Sequence, residues 1–276
     1  MGQTRRIVLC ADDYALAPGV SSAIRTLLAN ARINATSVMV VTPELAAEAR
    51  ALTALPSPLK IEIGLHVTLT GGFKPLRENP LPTEDGLFPP LGRLLRPTAR
   101  FGMSRRSVEA EVGAQIEAFR GACGRLPDFV DGHQHVQLLP GVRHAFLNAV
   151  ARAAPKAWVR QCGPLRWRRL LAADLKALAL AWWSVGFRAL ARRRGLAMNA
   201  AFTGAYDYAA AADFGALFED FLAGLPEGGL VMCHPGFVDE TLRTRDPLTD
   251  RRQTEYEFLA GDGLPAALAR AGVRLA

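Results

Sequence analysis

Two adjacent aspartates, Asp12 and Asp13, close the first apolar run of this 276-residue chain. Neighbouring carboxylates repel one another and are costly to desolvate unless a cation or hydrogen bonds compensate. The other reading of the pair is an exposed turn that caps the following helix. Asp131-Gly132-His133-Gln134-His135 narrows the choice. Two histidines one residue apart, directly after a strand-like run, can put one imidazole on a metal and the other nearby. Asp131 is close enough in sequence to orient a ring from behind. His66, in Gly64-Leu65-His66-Val67-Thr68-Leu69, is polar inside an apolar run. Alone it would read as a satisfied core residue, and only the other clusters lift it. An Asp-His-His set leaves coordination positions open for water and substrate, as a hydrolytic metal requires. A metal such as zinc lowers the pKa of bound water to roughly 7. One aspartate would bind the metal and the other would take the proton. The donor set admits zinc or magnesium, with imidazole leaning towards transition metals.

Such residues must be brought together by regular elements, and short β-rich runs do alternate with helical patterns. Strands are expected at 6–10, 36–41, 61–69, 128–132, 157–160, 229–233 and 273–275. Helices are expected at 18–30, 44–55, 107–120, 141–153, 214–222 and 264–271, the first with Pro18 in its first turn. This alternation predicts an α/β fold with a parallel sheet and helical crossovers. The chemical residues fall where β becomes α: Asp12 and Asp13, His66, His133 and His135, Arg160, and His234 after Val231-Met232-Cys233. That face carries the active site in barrels and open α/β sheets. Four of the five histidines belong to this set, and only His144 falls inside a helix.

Composition fits one domain over 1–276, with insertions at about 71–103 and 164–199. Half of the residues are hydrophobic and 21% charged, so disorder is a poor reading of the whole. The run Ile7-Val8-Leu9-Cys10 is too short for a signal-peptide core, so a cytoplasmic protein is expected. Cys10, Cys123, Cys162 and Cys233 form no C-x-x-C pair and read as buried free thiols. The net charge of +7 is concentrated in 164–199, where Arg166, Arg168, Arg169, Lys176, Arg188 and Arg192 to Arg194 face only Asp174. The remainder is neutral overall, which excludes a generally basic, nucleic-acid-binding protein. Within the segment, Leu171, Leu175, Leu178, Trp182, Val185 and Ala189 recur at helical spacing. Lys176 and Arg188 bracket too few uncharged residues for a bilayer span, which needs about 20. The segment is therefore either a helix packed on the body or one lying peripherally at the inner membrane surface. Oligomeric state has no sequence signal.

Taken together, Ala11-Asp12-Asp13-Tyr14, Gly64-Leu65-His66-Val67-Thr68-Leu69, Asp131-Gly132-His133-Gln134-His135 and Val231-Met232-Cys233-His234-Pro235-Gly236 resemble the YdjC-like carbohydrate deacetylases. These include chitooligosaccharide deacetylases and relatives linked to hopanoid biosynthesis. The motifs span nearly the whole chain in the expected order. The resemblance implies a distorted, TIM-like (β/α) barrel, a divalent metal ion (magnesium or zinc), and removal of N-acetyl groups from an amino-sugar-containing carbohydrate or glycolipid. Residue by residue, it implies Asp13, His66 and His133 as metal ligands, Asp12 as general base and His234 as general acid. Arg160 is then either an orienting partner of Asp12 or a surface arginine. Tyr14, Asp131 and His135 are placed in contact with substrate or behind the ligands. Ala15 stands where the family usually has glycine, and Gln137 where many members have a further histidine. Ala15 would restrict its turn if positive φ were needed there. Gln137 is expected to alter substrate contacts rather than metal binding. Two other functions stay open at this point. One is a metal-dependent barrel hydrolase of phosphoesters or cyclic amides. The other is a catalytically silent sugar- or lipid-binding protein, for which the adjacent aspartates have no evident use.

Overall fold

The computed structural model describes residues 4–77, 85–95, 104–163, 175–208 and 213–276. The first half of the chain forms β1 (Arg5–Tyr14), α1 (Pro18–Ala29), β2 (Ala35–Val38), α2 (Leu45–Thr53), β3 (Glu62–Val67), α3 (Leu91–Leu94), α4 (Arg105–Cys123) and β4 (Phe129–Gly132). A 3-10 turn, His133–Leu138, leads into α5 (Arg143–Ala153), β5 (Trp158–Val159) and α6 (Leu175–Arg193). The chain ends with β6 (Phe202–Thr203), α7 (Phe214–Leu222), β7 (Gly229–Cys233), α8 (Glu240–Arg245), α9 (Asp250–Ala260), α10 (Gly263–Ala271) and β8 (Val273–Leu275).

All eight strands join one parallel sheet in the order β5-β4-β3-β2-β1-β7-β6, with β8 added beside β1. The central β1 is buried from Ile7 onward, as a strand of a parallel sheet covered on both faces must be. The sheet curls. The Val159 amide donates to the Ala197 carbonyl at 2.9 Å, while Phe202 and Thr203 pair with β7. The short segment between Ala197 and Thr203 thus spans the gap between the two edges, giving the parallel α/β sheet expected from the alternation the distorted barrel form that the resemblance implied.

Several boundaries moved for identifiable reasons. β1 continues past Cys10 to Tyr14, because Tyr14 still pairs with Val38 across an irregularity that begins at Ala11. Asp12 and Asp13 therefore lie within the strand's bulged end and not in the loop after it. Helices α8 and α9 carry no apolar period in the sequence. The buried positions of α9 are Arg252, Glu255 and Leu259, so two of three are ionic. Of the insertion at 71–103, the described residues contain only the short α3.

In the basic insertion, 164–174 lie outside the described residues, together with Arg166, Arg168, Arg169 and Leu171. Helix α6 follows, but it packs through Ala181, Ser184, Phe187 and Ala191. The expected stripe of Leu178, Trp182, Val185 and Ala189 faces outward. All four cysteines are free and buried.

Candidate metal centre

The end of the sheet that carries the expected site residues is assembled by strand register. His66 and Asp131 are direct partners on the parallel pair β3–β4, so their side chains emerge on one face. The His66 Nδ1 lies 2.6 Å from Asp131 Oδ1, which leaves Nε2 pointing at Asp13 Oδ1, 3.3 Å away. His133, the first residue after β4, puts its Nδ1 2.9 Å from the same Asp13 oxygen. The ligand atoms of Asp13, His66 and His133 all lie within 4.8 Å of one another, and all three residues are buried.

Backbone strain is concentrated here. Asp13, Ala15, Gln134 and His135 have φ of 68°, 71°, 53° and 59°, in the left-handed region that side chains with a Cβ disfavour. Such conformations persist where surrounding contacts over-determine them, and they cluster at functional sites. The turn at Ala15 does require positive φ, and alanine bears it in place of glycine. Gly132 sits in tight quarters: a Cβ there would meet Gln137 Oε1 at 2.8 Å and Val136 Cγ2 at 3.0 Å, so a side chain would force these neighbours to shift.

Asp12 is held differently. Arg160, only 1% exposed, directs its two terminal nitrogens at the two Asp12 oxygens, at 2.5 and 2.6 Å. The same guanidinium reaches Asp131 Oδ2 at 2.6 Å and Cys10 Sγ at 3.1 Å. Cys10, Asp12 and Asp131 form a second cluster of donor type, but Arg160 already fills it with positive charge. Burial opposes ionisation of Asp12, yet Arg160 and the nearby imidazole of His66 hold it well below the usual carboxylate range. The Ser37 hydroxyl bridges the two parts of the site, donating to Asp12 Oδ1 at 3.2 Å and lying 3.0 Å from His66 Nδ1.

The donor chemistry fits a divalent cation. Three buried carboxylates (Asp12, Asp13 and Asp131) outnumber the two guanidiniums they touch, Arg160 and Arg252. Burial disfavours a charged His66, but Asp131 and Asp13 overcome it and raise the imidazole to about 10. The pocket draws in positive charge, and two imidazoles with one carboxylate are a ligand set suited to transition metals.

The other expected residues are also located. His234, after β7, has its Nδ1 3.0 Å from the Tyr208 hydroxyl, and its backbone N–H donates to Glu255 Oε2 at 2.6 Å. Glu255 is raised by burial, and Tyr208, half-buried beside it, is pushed up by desolvation and stays protonated. His135 sits beside Cys162, 3.6 Å from its sulfur, and edge-on to Phe202. Burial and the Arg160 charge lower His135 to about 3, so it is neutral at physiological pH. Asp131 orients the ring of His66 and not that of either histidine following it.

Two expectations are corrected. Tyr14 does not join the cluster: its hydroxyl donates to the Glu48 carbonyl at 2.9 Å and accepts from Arg25 at 2.8 Å, tying β1 to α1 and α2. Gln137 is fully buried and donates to the Arg160 carbonyl at 3.4 Å, so it is a strut beneath Arg160 and not a substrate contact.

Four participants had not been expected. Arg252 of α9, wholly buried, donates to Asp13 Oδ2 at 2.7 Å and to Asp246 Oδ2 at 2.8 Å. Glu255 lies one turn further along α9, and Tyr208 and Ser37 complete the set. Only the lack of an apolar face in Asp250–Ala260 hinted that this helix buries polar groups.

A curled parallel sheet with an Asp-His-His donor set and an arginine-held carboxylate at its strand ends defines an α/β barrel protein with a candidate metal centre. The chain belongs to the YdjC-like family, whose model, described as YdjC-like protein, matches residues 6–270. It is 26% identical over 272 residues to a chitooligosaccharide deacetylase of Escherichia fergusonii, covering 98% of this chain and 97% of that one. It is 33% identical over 153 residues to a carbohydrate deacetylase of Mus musculus, covering 52% of this chain and 47% of the relative. Among solved structures, a putative cellobiose-phosphate cleavage protein of Enterococcus faecalis superposes with a TM-score of 0.77 at 20% identity. That match covers 99% of this chain and 97% of the other, and it supports the fold.

Proposed function

We propose that the protein is a metal-dependent carbohydrate deacetylase that hydrolyses the N-acetyl amide of an amino sugar, free or carried on lipid. The observation that carries this reading is the pairing of an Asp13–His66–His133 donor set with a separate carboxylate, Asp12, held beside it by Arg160. The names of the full-length deacetylase relatives support the substrate class.

Asp13, His66 and His133 would hold the divalent cation, magnesium or zinc. When bound, it supplies a lowered water pKa and positive charge for the developing oxyanion. Asp131 fixes His66 with Nε2 inward, and Arg252 takes the second oxygen of Asp13. Asp12, ionised and oriented by Arg160 and Ser37, accepts the proton of the attacking water. The water oxygen bonds to the acetyl carbon, the carbon–nitrogen bond breaks, and His234 donates a proton to the departing amine. Acetate and the free amino sugar result. Tyr208 holds Nδ1 of His234, which leaves Nε2 for the transfer.

The test is acetate release from N-acetylated oligosaccharides and glycolipids by chelated protein, with and without added zinc or magnesium. Acetate should appear only with metal. Hydrolysis of a phosphoester or cyclic amide without acetate release would favour the other barrel hydrolases. Sugar binding with no turnover under any metal would favour a silent binding protein.

A further inference from the structure

Helix α6 has two apolar faces, and only one of them is packed against a partner among the described residues. Its inner face is seated firmly. Phe187 is fully buried, with its ring 6.0 Å from that of Phe146. The Ser184 hydroxyl accepts from the Cys162 amide at 3.1 Å and donates to Gln161 Oε1 at 3.2 Å. Those contacts lie immediately after Arg160, so the helix sits at the site end of the barrel.

Its outer face is the anomaly. Leu178, Trp182 and Val185 are 39%, 74% and 42% exposed, and Ala189 is exposed as well. Spaced by three and four residues, they form one continuous stripe. A helix already packed on a core normally presents polar residues to water on its far side. The stripe then runs into Arg192 and Arg193, both exposed and with no ion pair among the described residues. No acidic residue occurs between Lys176 and Ala200.

An apolar stripe with an exposed tryptophan, ending in unpaired arginines, matches the apolar–polar boundary of a bilayer whose headgroups are anionic. We infer that the outer face of α6 docks in the plane of an anionic lipid surface, with Trp182 and Val185 entering the interface and Arg192 and Arg193 meeting headgroup phosphates. Docking is in-plane, since no helix among the described residues is long and apolar enough to cross a membrane. Charge argues against a second copy as the occupant. Self-pairing would bring two segments of net charge +7 together, whereas an anionic surface neutralises them.

The full-length protein is mixed with vesicles of phosphatidylcholine alone, or of phosphatidylcholine with roughly a third phosphatidylglycerol, and sedimented at low and high salt. Binding should need the anionic lipid and weaken with salt. Arg192→Gln with Arg193→Gln should weaken it by about 25-fold, from about fivefold per surface arginine. Trp182→Ser with Val185→Ser should reduce it by about tenfold or more, since it removes the inserted apolar area. Circular dichroism should show both variants folded, because the substituted side chains lie on the outer face. Equal recovery in the supernatant with and without anionic vesicles at low salt overturns the inference. So does binding that the tryptophan variant leaves intact. A dimer in light scattering that Trp182→Ser dissociates, with no vesicle binding, gives the face to a second copy and likewise overturns it. None of these readouts depends on the reaction at the metal centre.

Discussion

Replacing Arg160 with methionine removes the guanidinium shared by Asp12 and Asp131 while filling a similar volume. The guanidinium is 1% exposed, its carboxylate partners are 2% and 0% exposed, and solvent cannot substitute for it. Breaking a buried pair from one side costs about 3–5 kcal/mol, because the surviving charge is left uncompensated. Against a total stability of about 5–15 kcal/mol, that is a large share. The pH dependence has a definite sign. In the wild type Asp12 is depressed, so its contribution is complete above the unfolded carboxylate pKa of about 3.9 and fades as pH falls towards the folded value. In the variant, burial acts on Asp12 without Arg160 and raises it. Protonation then relieves the unpaired charge, and the deficit relative to wild type shrinks on going from neutral pH into the acid range. Urea unfolding across that range measures it. Asp12→Asn in the Arg160→Met background should recover part of the loss, giving a coupling energy of about 1–3 kcal/mol in a double-mutant cycle. A loss under about 1 kcal/mol, as for an exposed pair, would refute the reasoning, as would additive single effects.

The two aspartates should separate by assay. Asp12→Asn should retain metal by elemental analysis while losing about 10²-fold or more in rate, whereas Asp13→Asn should lose the metal, and the reverse pattern would exchange their roles. Tyr208→Phe removes the hydroxyl beside His234 Nδ1, so kcat should fall by roughly tenfold with KM little changed; an effect confined to KM would instead place Tyr208 against the substrate. Ala15→Gly relieves a φ of 71° and should leave stability unchanged or raise it by up to about 1 kcal/mol in thermal melts. The same change at Ala23, buried in α1, should destabilise by at least about 1 kcal/mol.

Much of the site is legible in the sequence, because its placement follows local rules. Apolar runs ending in Asp12-Asp13, His66, Asp131-Gly132-His133 and His234 put polar groups at the ends of buried parallel strands, and burying such groups has a cost that demands a purpose. Alternating strands and crossover helices place those ends on one side of the sheet. The composition of 164–199 likewise isolated the basic helix.

The pairings were decided only by the tertiary structure. Arg252 lies 239 positions from Asp13, and Arg160 lies 148 from Asp12, so neither partner leaves a periodic trace. Helix α9 reads as a solvated helix because Arg252 and Glu255, two of its three buried residues, are ionic; Asp13 and Asp246 satisfy Arg252, and the Tyr206 hydroxyl and the His234 backbone amide satisfy Glu255. Tyr14 follows Asp13 directly, but the bulge at the end of β1 decides that the carboxylate turns to the histidines while the phenol bonds to Glu48 and Arg25. The apolar stripe of α6 was visible as a pattern. Which side of the helix met the barrel depended on Ser184 and Phe187 finding Gln161, Cys162 and Phe146, contacts made between elements and written in no single one of them.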